Sequence, residues 1–311
     1  MRAIVLEDFE GGPRLREVPI PQITAPNELL IRVQASSINA FDLAVAGGRL
    51  KGMMEHRFPV VLGKDYAGTV EAIGPEVSRF AVGDQVFGVL MKPVLGDGTF
   101  AEYVTVPESS GIAKVPAGLA LQAAGALGLS GTAAVMSVAA IAPAAGETVL
   151  ISGATGGVGA CAVQLAAGRG AQVIATALPG DQADFVRSLG ATHTVDYRGD
   201  LAAAVRAIRP GGVDGAIHLA GDGLQLAELL VPDGRIASTL GFGPDQLGGR
   251  QVRATSIMAV PDPALLERLA ADVAAGRLSV RIQRTYRLEQ VPEALADFAA
   301  GKLGKLAITI G

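Results

Sequence analysis

The residues best suited to chemistry form a glycine-rich turn at positions 153–159. The turn follows an apolar run at residues 148–152 and opens into an Ala-rich segment with helical spacing. Ala154, Gly156 and Gly159 hold the three small-residue positions of the dinucleotide-binding pattern, with Ala in place of the first Gly. Small residues let a backbone approach a pyrophosphate, and the next helix presents free N–H groups and the positive end of its dipole. The spacing predicts a nucleotide site, and a tight strand-to-helix turn without a ligand is the alternative.

The composition is that of an ordinary globular protein. The chain has 311 residues, of which 50% are hydrophobic and 18% are charged, enough for one large or two medium domains. A net charge of −4 without any Lys/Arg cluster argues against nucleic-acid binding. Glu7 and Asp8 come too early for a signal peptide and no apolar run has membrane-spanning length, so we expect a cytoplasmic protein with no membrane partner. Cys161 is the only cysteine, which excludes an intrachain disulfide and favours a buried core role.

The first 117 residues have the pattern of a β domain. Short runs rich in β-branched residues are separated by Gly and Pro, and apolar positions alternate with polar ones. These features predict a compact and largely antiparallel sheet. The predicted strands lie at residues 3–6, 28–35, 68–73, 85–89 and 101–106.

The pattern changes near Leu119, where an Ala/Leu-rich helical segment at residues 120–142 leads into strands that alternate with helices. This alternation predicts a doubly wound parallel sheet of about six strands, a Rossmann domain over residues 118–261. Residues 262–311 are too few for a domain and are predicted to complete the β domain of residues 1–117. The predicted strands lie at residues 148–152, 171–177, 192–197, 213–219, 234–240, 252–258, 280–286 and 305–310, and the later helices at residues 181–189, 200–208, 223–230, 261–275 and 291–299.

Several motifs, in order along the chain, resemble those of the medium-chain dehydrogenase/reductase superfamily. The resemblance covers essentially the whole chain and implies an α/β protein with a GroES-like β domain and a Rossmann domain. Motifs in family order are more specific than one glycine turn. They are residues 58–70, 80–88 and 98–103, the glycine-rich turn, residues 188–191 and Gly304-Lys305.

Within that superfamily the zinc alcohol dehydrogenases carry Gly-His-Glu where this chain has Gly63-Lys64-Asp65. The three histidines, His56, His193 and His218, have no ligand spacing, and the latter two are predicted to be core or edge residues of strands. The chain therefore resembles the zinc-free quinone oxidoreductase branch, zeta-crystallin-like. Without a metal to polarise an alcohol, reduction of an electron-poor, conjugated acceptor is the chemistry that remains.

The resemblance implies a metal-free, NADPH-dependent reductase that transfers a hydride to a quinone or to an α,β-unsaturated carbonyl. Two alternatives stay open. One is a dedicated enoyl-thioester or secondary-metabolite enone reductase, which would favour one scaffold over simple quinones. The other is a protein that binds NADPH as a sensor without turnover, because a fold alone does not establish catalysis.

Three candidate catalytic residues follow from the resemblance, which places the substrate between the domains near residues 37–42. Asn39 could donate to a carbonyl oxygen as charge develops there, with Asp42 beside it in the cleft. Both are also common turn formers that could simply order the loop. Lys64 could place a cation near the cleft or pair with Asp65 or another acid. Tyr66 could donate a proton, although an aromatic residue at a strand start is more often part of a core.

The candidate cofactor residues lie at the glycine-rich turn and at the carboxyl ends of the predicted Rossmann strands, where such sheets bind ligands. No acidic residue follows the second of these strands, which favours NADPH over NADH. Tyr197 matches a tyrosine that touches the 2′-phosphate in NADPH-dependent relatives, whereas Gln182 stands where those relatives often have Lys, and Arg198 could either substitute for that cation or simply be a solvated surface residue. The candidates are Thr132, Ala154, Gly156, Gly157, Val158, Thr176, Tyr197, Ala220, Gly221, Leu240 and Gly241.

Relatives in this branch commonly pair their Rossmann sheets edge to edge. The run at residues 252–258 is predicted to be such an edge strand. We therefore expect a homodimer. The small-molecule acceptor is not specified further, because a cleft lined by Phe41, Leu50 and Met53 suits many planar substrates.

Overall fold

A computed structural model describes all residues from Met1 to Gly311. The chain divides into two compact units. The first unit comprises Met1–Leu129 and Pro261–Gly311, and the second comprises Ser130–Val260. The sequence places the first boundary at residue 117, whereas the structure divides the chain later, inside a helix. No helix is both long and apolar enough to cross a membrane.

The first unit is mainly β structure. Its strands are β1 (Arg2–Leu6), β2 (Arg14–Glu17), β3 (Glu28–Ser37), β4 (Glu55–His56), β5 (Val60–Val61), β6 (Asp65–Ile73), β7 (Gln85–Val89), β8 (Val94–Leu95), β9 (Tyr103–Pro107), β10 (Ile112–Lys114), β17 (Ile282–Arg287) and β18 (Lys305–Thr309). Its helices are α1 (Ala40–Ala46), α2 (Leu121–Ala124), the start of α3 (Gly128–Ile141), α8 (Pro263–Ala274) and α9 (Val291–Ala300).

The main sheet of the first unit has the strand order β10-β7-β6-β3-β18-β17, and β9 also pairs with β3. All of these pairings are antiparallel except the one between β17 and β18. In β3, Ile31 and Val33 are buried and Arg32 between them is exposed, as a half-buried strand requires. Through β17 and β18 the last fifty residues complete the sheet begun by the first hundred.

The second unit is a six-stranded parallel sheet in the order β13-β12-β11-β14-β15-β16. This order confirms the predicted doubly wound sheet. All four residues of β11 (Thr148–Ile151), near the middle of the sheet, are buried, as expected where helices cover both faces. The strands are β11 (Thr148–Ile151), β12 (Gln172–Thr176), β13 (His193–Val195), β14 (Val213–His218), β15 (Leu230–Ser238) and β16 (Arg253–Ser256), and the helices are the rest of α3, α4 (Gly157–Ala167), α5 (Asp181–Ser188), α6 (Leu201–Ile208) and α7 (Gly223–Ala227).

The predicted helix at residues 120–142 is interrupted, because α2 ends before α3 begins. Gly125 lies at the break, and a Cβ there would lie 3.0 Å from the carbonyl group of Ala35 in β3. The chain therefore turns where it packs closely on the sheet. The predicted helix at residues 223–230 is also shorter, because Leu230 already belongs to β15.

Candidate active site

The sequence Gly63-Lys64-Asp65 enters strand β6 through a constrained turn. Gly63 has φ +102°, and a Cβ at this position would lie 2.6 Å from the backbone nitrogen of Phe100. Only glycine fits such a position. The turn directs Asp65 into the interior, where it has no exposed surface.

The Asp65 carboxylate accepts four hydrogen bonds. Its Oδ1 accepts from the backbone N–H of Leu129 at 2.8 Å, in the first turn of α3. Its Oδ2 accepts from the Ser37 hydroxyl at 2.6 Å, the Asn39 amide at 2.9 Å and the Lys305 ammonium at 3.4 Å. We refer to Ser37, Asn39, Asp65, Leu129 and Lys305 as the Asp65 cluster. A buried carboxylate needs several donors and a countercharge, and the cluster supplies both.

Asn39 uses both of its amide hydrogens inside the chain. Its Nδ2 donates to the carbonyl oxygen of Ser37 at 3.2 Å and to Asp65, and its Oδ1 accepts from Lys305 at 2.6 Å. The side chain is 7% exposed. The predicted donation from Asn39 to a substrate carbonyl would therefore require one of these bonds to break. The structure gives this residue a role in holding the loop.

Asp42 lies in the first turn of α1 and is buried. Its Oδ2 accepts from the backbone N–H of Asn39 at 2.8 Å, and its own N–H donates to the Asn39 carbonyl at 3.0 Å. Burial raises the pKa of Asp42 to about 7, and the nearby Asp65 charge adds to that rise. The carboxyl group therefore changes its protonation near neutral pH.

Lys64 is a buried cation without an acidic partner. Its side chain is 7% exposed, and its ammonium lies 4.6 Å from the ring centroid of Phe41. No carboxylate lies within ion-pair distance of the Lys64 ammonium. The neighbouring Asp65 pairs with Lys305 instead. Burial lowers the pKa of Lys64, and the charge of Asp42 only partly opposes this effect.

Tyr66 has no exposed surface, and its hydroxyl is buried without a hydrogen-bond partner. Burial raises the pKa of this phenol. The residue belongs to the core of the first unit, so the core interpretation of Tyr66 is the correct one.

In the second unit the glycine-rich turn joins β11 to α4. Gly156 is the N-cap of α4, and no side chain of the protein caps the helix. The free N–H groups of the first turn are therefore left for an external acceptor. The N–H of Gly153, which has φ +63°, donates to the Thr176 hydroxyl at 3.0 Å. This bond ties the turn to the end of β12.

Gly159 makes the close approach of turn and helix possible. A Cβ at this position would lie 2.3 Å from the carbonyl oxygen of Gly153 and 2.6 Å from the Cα of Ala154. Ala154 itself is fully buried and packs under the turn. Gly157 and Val158 follow in the first turn of α4. The small residues of the motif thus have the packing role that a dinucleotide-binding turn requires.

Two polar side chains shape the carboxyl edge of this sheet. The Ser152 hydroxyl accepts from the backbone N–H groups of Leu219 at 3.0 Å and Ala220 at 3.3 Å. The ring of His218 lies 2.9 Å from the Ser238 hydroxyl and 3.0 Å from the Gly221 carbonyl oxygen. His218 is therefore a core histidine whose two ring nitrogens are both satisfied.

The remaining cofactor candidates surround the same edge. Gly221 and Gly241 have φ +82° and +81°, and a Cβ at either would meet no atom within 4 Å. Leu240 and Tyr197 are exposed, whereas Thr132 is buried in α3. The side chain of Gln182 accepts from the N–H of Leu178 at 2.9 Å, which orders the loop after β12. The edge is thus open where a ligand would bind.

Sequence reasoning missed Ser37, Asp65, Lys305 and Ser152 as members of the candidate sites. Asp65 and Lys305 stand in motifs that carried the resemblance, and this was the only signal for them. Ser152 is the last residue of the predicted strand at residues 148–152, at the carboxyl edge where parallel sheets bind ligands, whereas Ser37 lies two residues beyond the predicted strand at residues 28–35 and carries no such signal. No group of three or more His, Cys, Asp or Glu side chains is placed to hold a metal ion.

Family models match both ends of the chain. One, described as the alcohol dehydrogenase GroES-like domain, matches residues 25–117, and the other, described as zinc-binding dehydrogenase, matches residues 189–308. The quinone oxidoreductase of Lama guanicoe is 30% identical in an alignment that covers 100% of this chain and 98% of that protein. Reticulon-4-interacting protein 1, mitochondrial, of Caenorhabditis elegans is 34% identical over 65% of this chain, which spans 58% of that relative.

Solved structures agree with these matches. The quinone oxidoreductase from Coxiella burnetii superimposes with a TM-score of 0.87 at 28% identity, covering 100% of this chain and 99% of that one. A mycobacterial protein solved in complex with NADPH gives a TM-score of 0.87 at 27% identity, covering 99% and 100% of the two chains.

A GroES-like domain joined to a parallel dinucleotide-binding sheet defines an oxidoreductase of the dehydrogenase class that binds a nicotinamide dinucleotide. The chain belongs to the medium-chain dehydrogenase/reductase superfamily, in its quinone oxidoreductase branch. The predicted fold class and family are both confirmed.

Asp42→Asn is expected to change how stability depends on pH. The native carboxyl holds its proton up to about pH 7, whereas the unfolded one loses it near its ordinary value of 3.8. The native state therefore binds more protons between these values, and the free energy of unfolding falls as pH rises. In urea unfolding at several pH values, the free energy of unfolding of the wild type should fall by about 4 kcal/mol more than that of the variant across this range. Asp245→Asn, at an exposed position, is the control. If the free energy of unfolding of wild type and Asp42→Asn depended on pH in the same way, the expectation would be contradicted.

Gly159→Ala is expected to displace the glycine-rich turn, because its Cβ would meet backbone atoms that cannot move aside. Loss of one hydrogen bond to a charged phosphate costs about 1.5 to 3 kcal/mol, so NADPH affinity should fall by about tenfold or more. Fluorescence titration measures this affinity, and circular dichroism verifies that the variant is folded. The matched control is Gly211→Ala in the same unit, where an added Cβ meets nothing within 4 Å. Equal NADPH affinity in the two variants would show that the turn does not contact the cofactor.

Proposed function

We propose that the protein is an NADPH-dependent reductase that transfers a hydride to a quinone or an α,β-unsaturated carbonyl without a metal ion. The observation that carries this proposal is Lys64. Its buried ammonium forms no ion pair, at the position where zinc-dependent relatives have a metal ligand. A buried cation without an ion-pair partner is able to balance negative charge that develops during the reaction, and this supports the proposed role.

The residues of the second unit fit a dinucleotide. The uncapped first turn of α4 would hold the pyrophosphate through the N–H groups of Gly157 and Val158. The open backbone at Gly221 and Gly241 would leave room along the carboxyl edge, and Thr132 and Ala220 complete the proposed binding set. When bound, NADPH supplies the hydride.

The residues of the first unit would act on the acceptor at the loop that ends β3 and begins α1. Negative charge develops on the acceptor oxygen as the hydride arrives, and the Lys64 ammonium would stabilise it. Because burial lowers the pKa of Lys64, its Nζ would also give up a proton more readily than an exposed lysine. Asp42, with a pKa of about 7, would change its protonation at neutral pH. Asn39 would hold the loop rather than contact the acceptor, since its donors are occupied.

The preference for NADPH is supported by the loop after β12. Residues 177–180 contain no carboxylate that would bind ribose hydroxyls or repel a 2′-phosphate. Exposed Tyr197 and Arg198, which follow β13, would be able to contact that phosphate. We also propose a homodimer through β16, which pairs with β15 alone and is followed by exposed Met258 and Val260.

The test is NADPH oxidation followed by absorbance with chelator-treated protein and three acceptors: a small quinone, a simple enone and an enoyl thioester. We expect turnover with the quinone or the enone, and a kcat/KM for NADPH about tenfold or more above that for NADH, because the phosphate adds charge-assisted contacts. Activity only after zinc is restored would contradict a metal-free reaction.

The other outcomes separate the alternatives. Turnover limited to the enoyl thioester would identify a dedicated thioester reductase. Saturable NADPH binding without oxidation in the presence of any acceptor would identify a sensor that does not catalyse.

Gln182→Lys is expected to tighten NADPH binding by about three- to tenfold while leaving NADH binding nearly unchanged, because it adds the cation common in NADPH-dependent relatives. The substitution also removes the acceptor for the Leu178 N–H. Gln182→Met removes that acceptor without adding charge and is therefore the matched control. Titration of each variant with both nucleotides measures the effect, and equal changes for NADPH and NADH would place the 2′-phosphate elsewhere.

A further inference from the structure

Lys305 makes three contacts at the loop between β3 and α1. Its ammonium donates to the carbonyl oxygen of Ile38 at 3.2 Å, to Asn39 Oδ1 at 2.6 Å and to Asp65 Oδ2 at 3.4 Å. All three of its N–H donors are thus used. The residue is 3% exposed, so water does not compete for these bonds.

The contacts determine which way the Asn39 amide faces. An amide has a donor end and an acceptor end of nearly equal shape, so only its neighbours can fix its orientation. The ammonium of Lys305 selects the oxygen end, and the carboxylate of Asp65 selects the nitrogen end. Because a cation lies at one end of the amide and an anion at the other, the Asn39 side chain has only one favourable orientation.

The backbone also determines where Lys305 and Asp65 can lie. Gly304, directly before Lys305, has φ +75°, and a Cβ there would lie 2.3 Å from the carbonyl oxygen of Arg281. Gly63, two residues before Asp65, is constrained in the same way. Each member of the pair therefore enters the interior through a turn that only glycine can make.

We infer that Lys305 is a positioning residue for the proposed reductase, and that it acts with Asp65 through Asn39 to hold the loop that begins α1. The inference rests on the proposed function, in which this loop receives the acceptor. The Asp65 cluster also holds the first turn of α3, because the Leu129 N–H donates to the Asp65 carboxylate. Charge pairing over a buried amide keeps the loop in a single arrangement before the acceptor binds.

Lys305→Met tests this inference, because it keeps the length of the side chain and removes the ammonium. We expect kcat with the acceptor to fall by between about tenfold and a hundredfold, since small displacements of positioned groups have effects of this size. The affinity for NADPH should stay within about twofold, because the cofactor residues belong to the other unit.

The matched control is Leu306→Ala, at the next residue of β18. Its side chain belongs to the hydrophobic core and touches no member of the Asp65 cluster through a polar contact, so the substitution destabilises the same strand and leaves the ammonium in place. Compared at a temperature where both are folded, Leu306→Ala should keep kcat within about threefold of the wild type. Equal losses of kcat in the two variants would show that Lys305 only stabilises the strand, and would overturn the inference.

Amide hydrogen exchange separates this inference from the proposed function. In Lys305→Met, exchange at the backbone amides of Asn39, Asp42 and Leu129 should be faster by about tenfold or more, and in Leu306→Ala the change at Leu129 should be smaller. Unchanged exchange at all three amides in Lys305→Met would overturn the inference whether or not the wild type is active. Absence of wild-type turnover together with faster exchange would contradict the proposed function and support the ordering of the loop by Lys305.

Discussion

The first unit depends on the need to satisfy one buried carboxylate. Asp65 has no contact with water, and a charge in that situation is tolerated only when it is hydrogen-bonded and paired. Its donors come from the end of β3, the loop after it, the first turn of α3 and the start of β18. Three segments that are distant in sequence, residues 37–39, Leu129 and Lys305, are thereby fixed to a single point. Displacing any of them would leave a donor or the anion without a partner.

The positions of long periodic elements could be predicted from the sequence, because their signal is local. Strand β7 has the predicted bounds, and all six parallel strands of the second unit were predicted, since apolar runs between helices are distinctive. Strand β2 was not predicted, because all four of its residues are exposed and none of them is packed in a core. The break at Gly125 was also missed, since the close approach of Gly125 to Ala35 joins residues that are distant in sequence and no local pattern reveals it.

The candidate sites divide in the same way. The glycine-rich turn could be predicted because its requirements, small residues followed by a helix, lie within one short segment. The Asp65 cluster could not, because Lys305 and Asp65 are 240 residues apart in sequence. The sequence left open an ion pair between Lys64 and Asp65, and the structure gives that carboxylate to Lys305 instead. Of the two alternatives left open for Lys64, the ion pair with Asp65 is therefore absent from the structure.

The place of β18 in the sheet also has a consequence for the order in which the protein can assemble during synthesis. Residues 130–260 form a unit of their own and leave the ribosome before β17 and β18 do. Until then β3 lacks one of its neighbours, and Asp65 lacks its cation. The nascent chain therefore carries an open sheet edge and an unpaired interior charge while the second unit is already able to fold, a period in which binding by a chaperone would protect that edge.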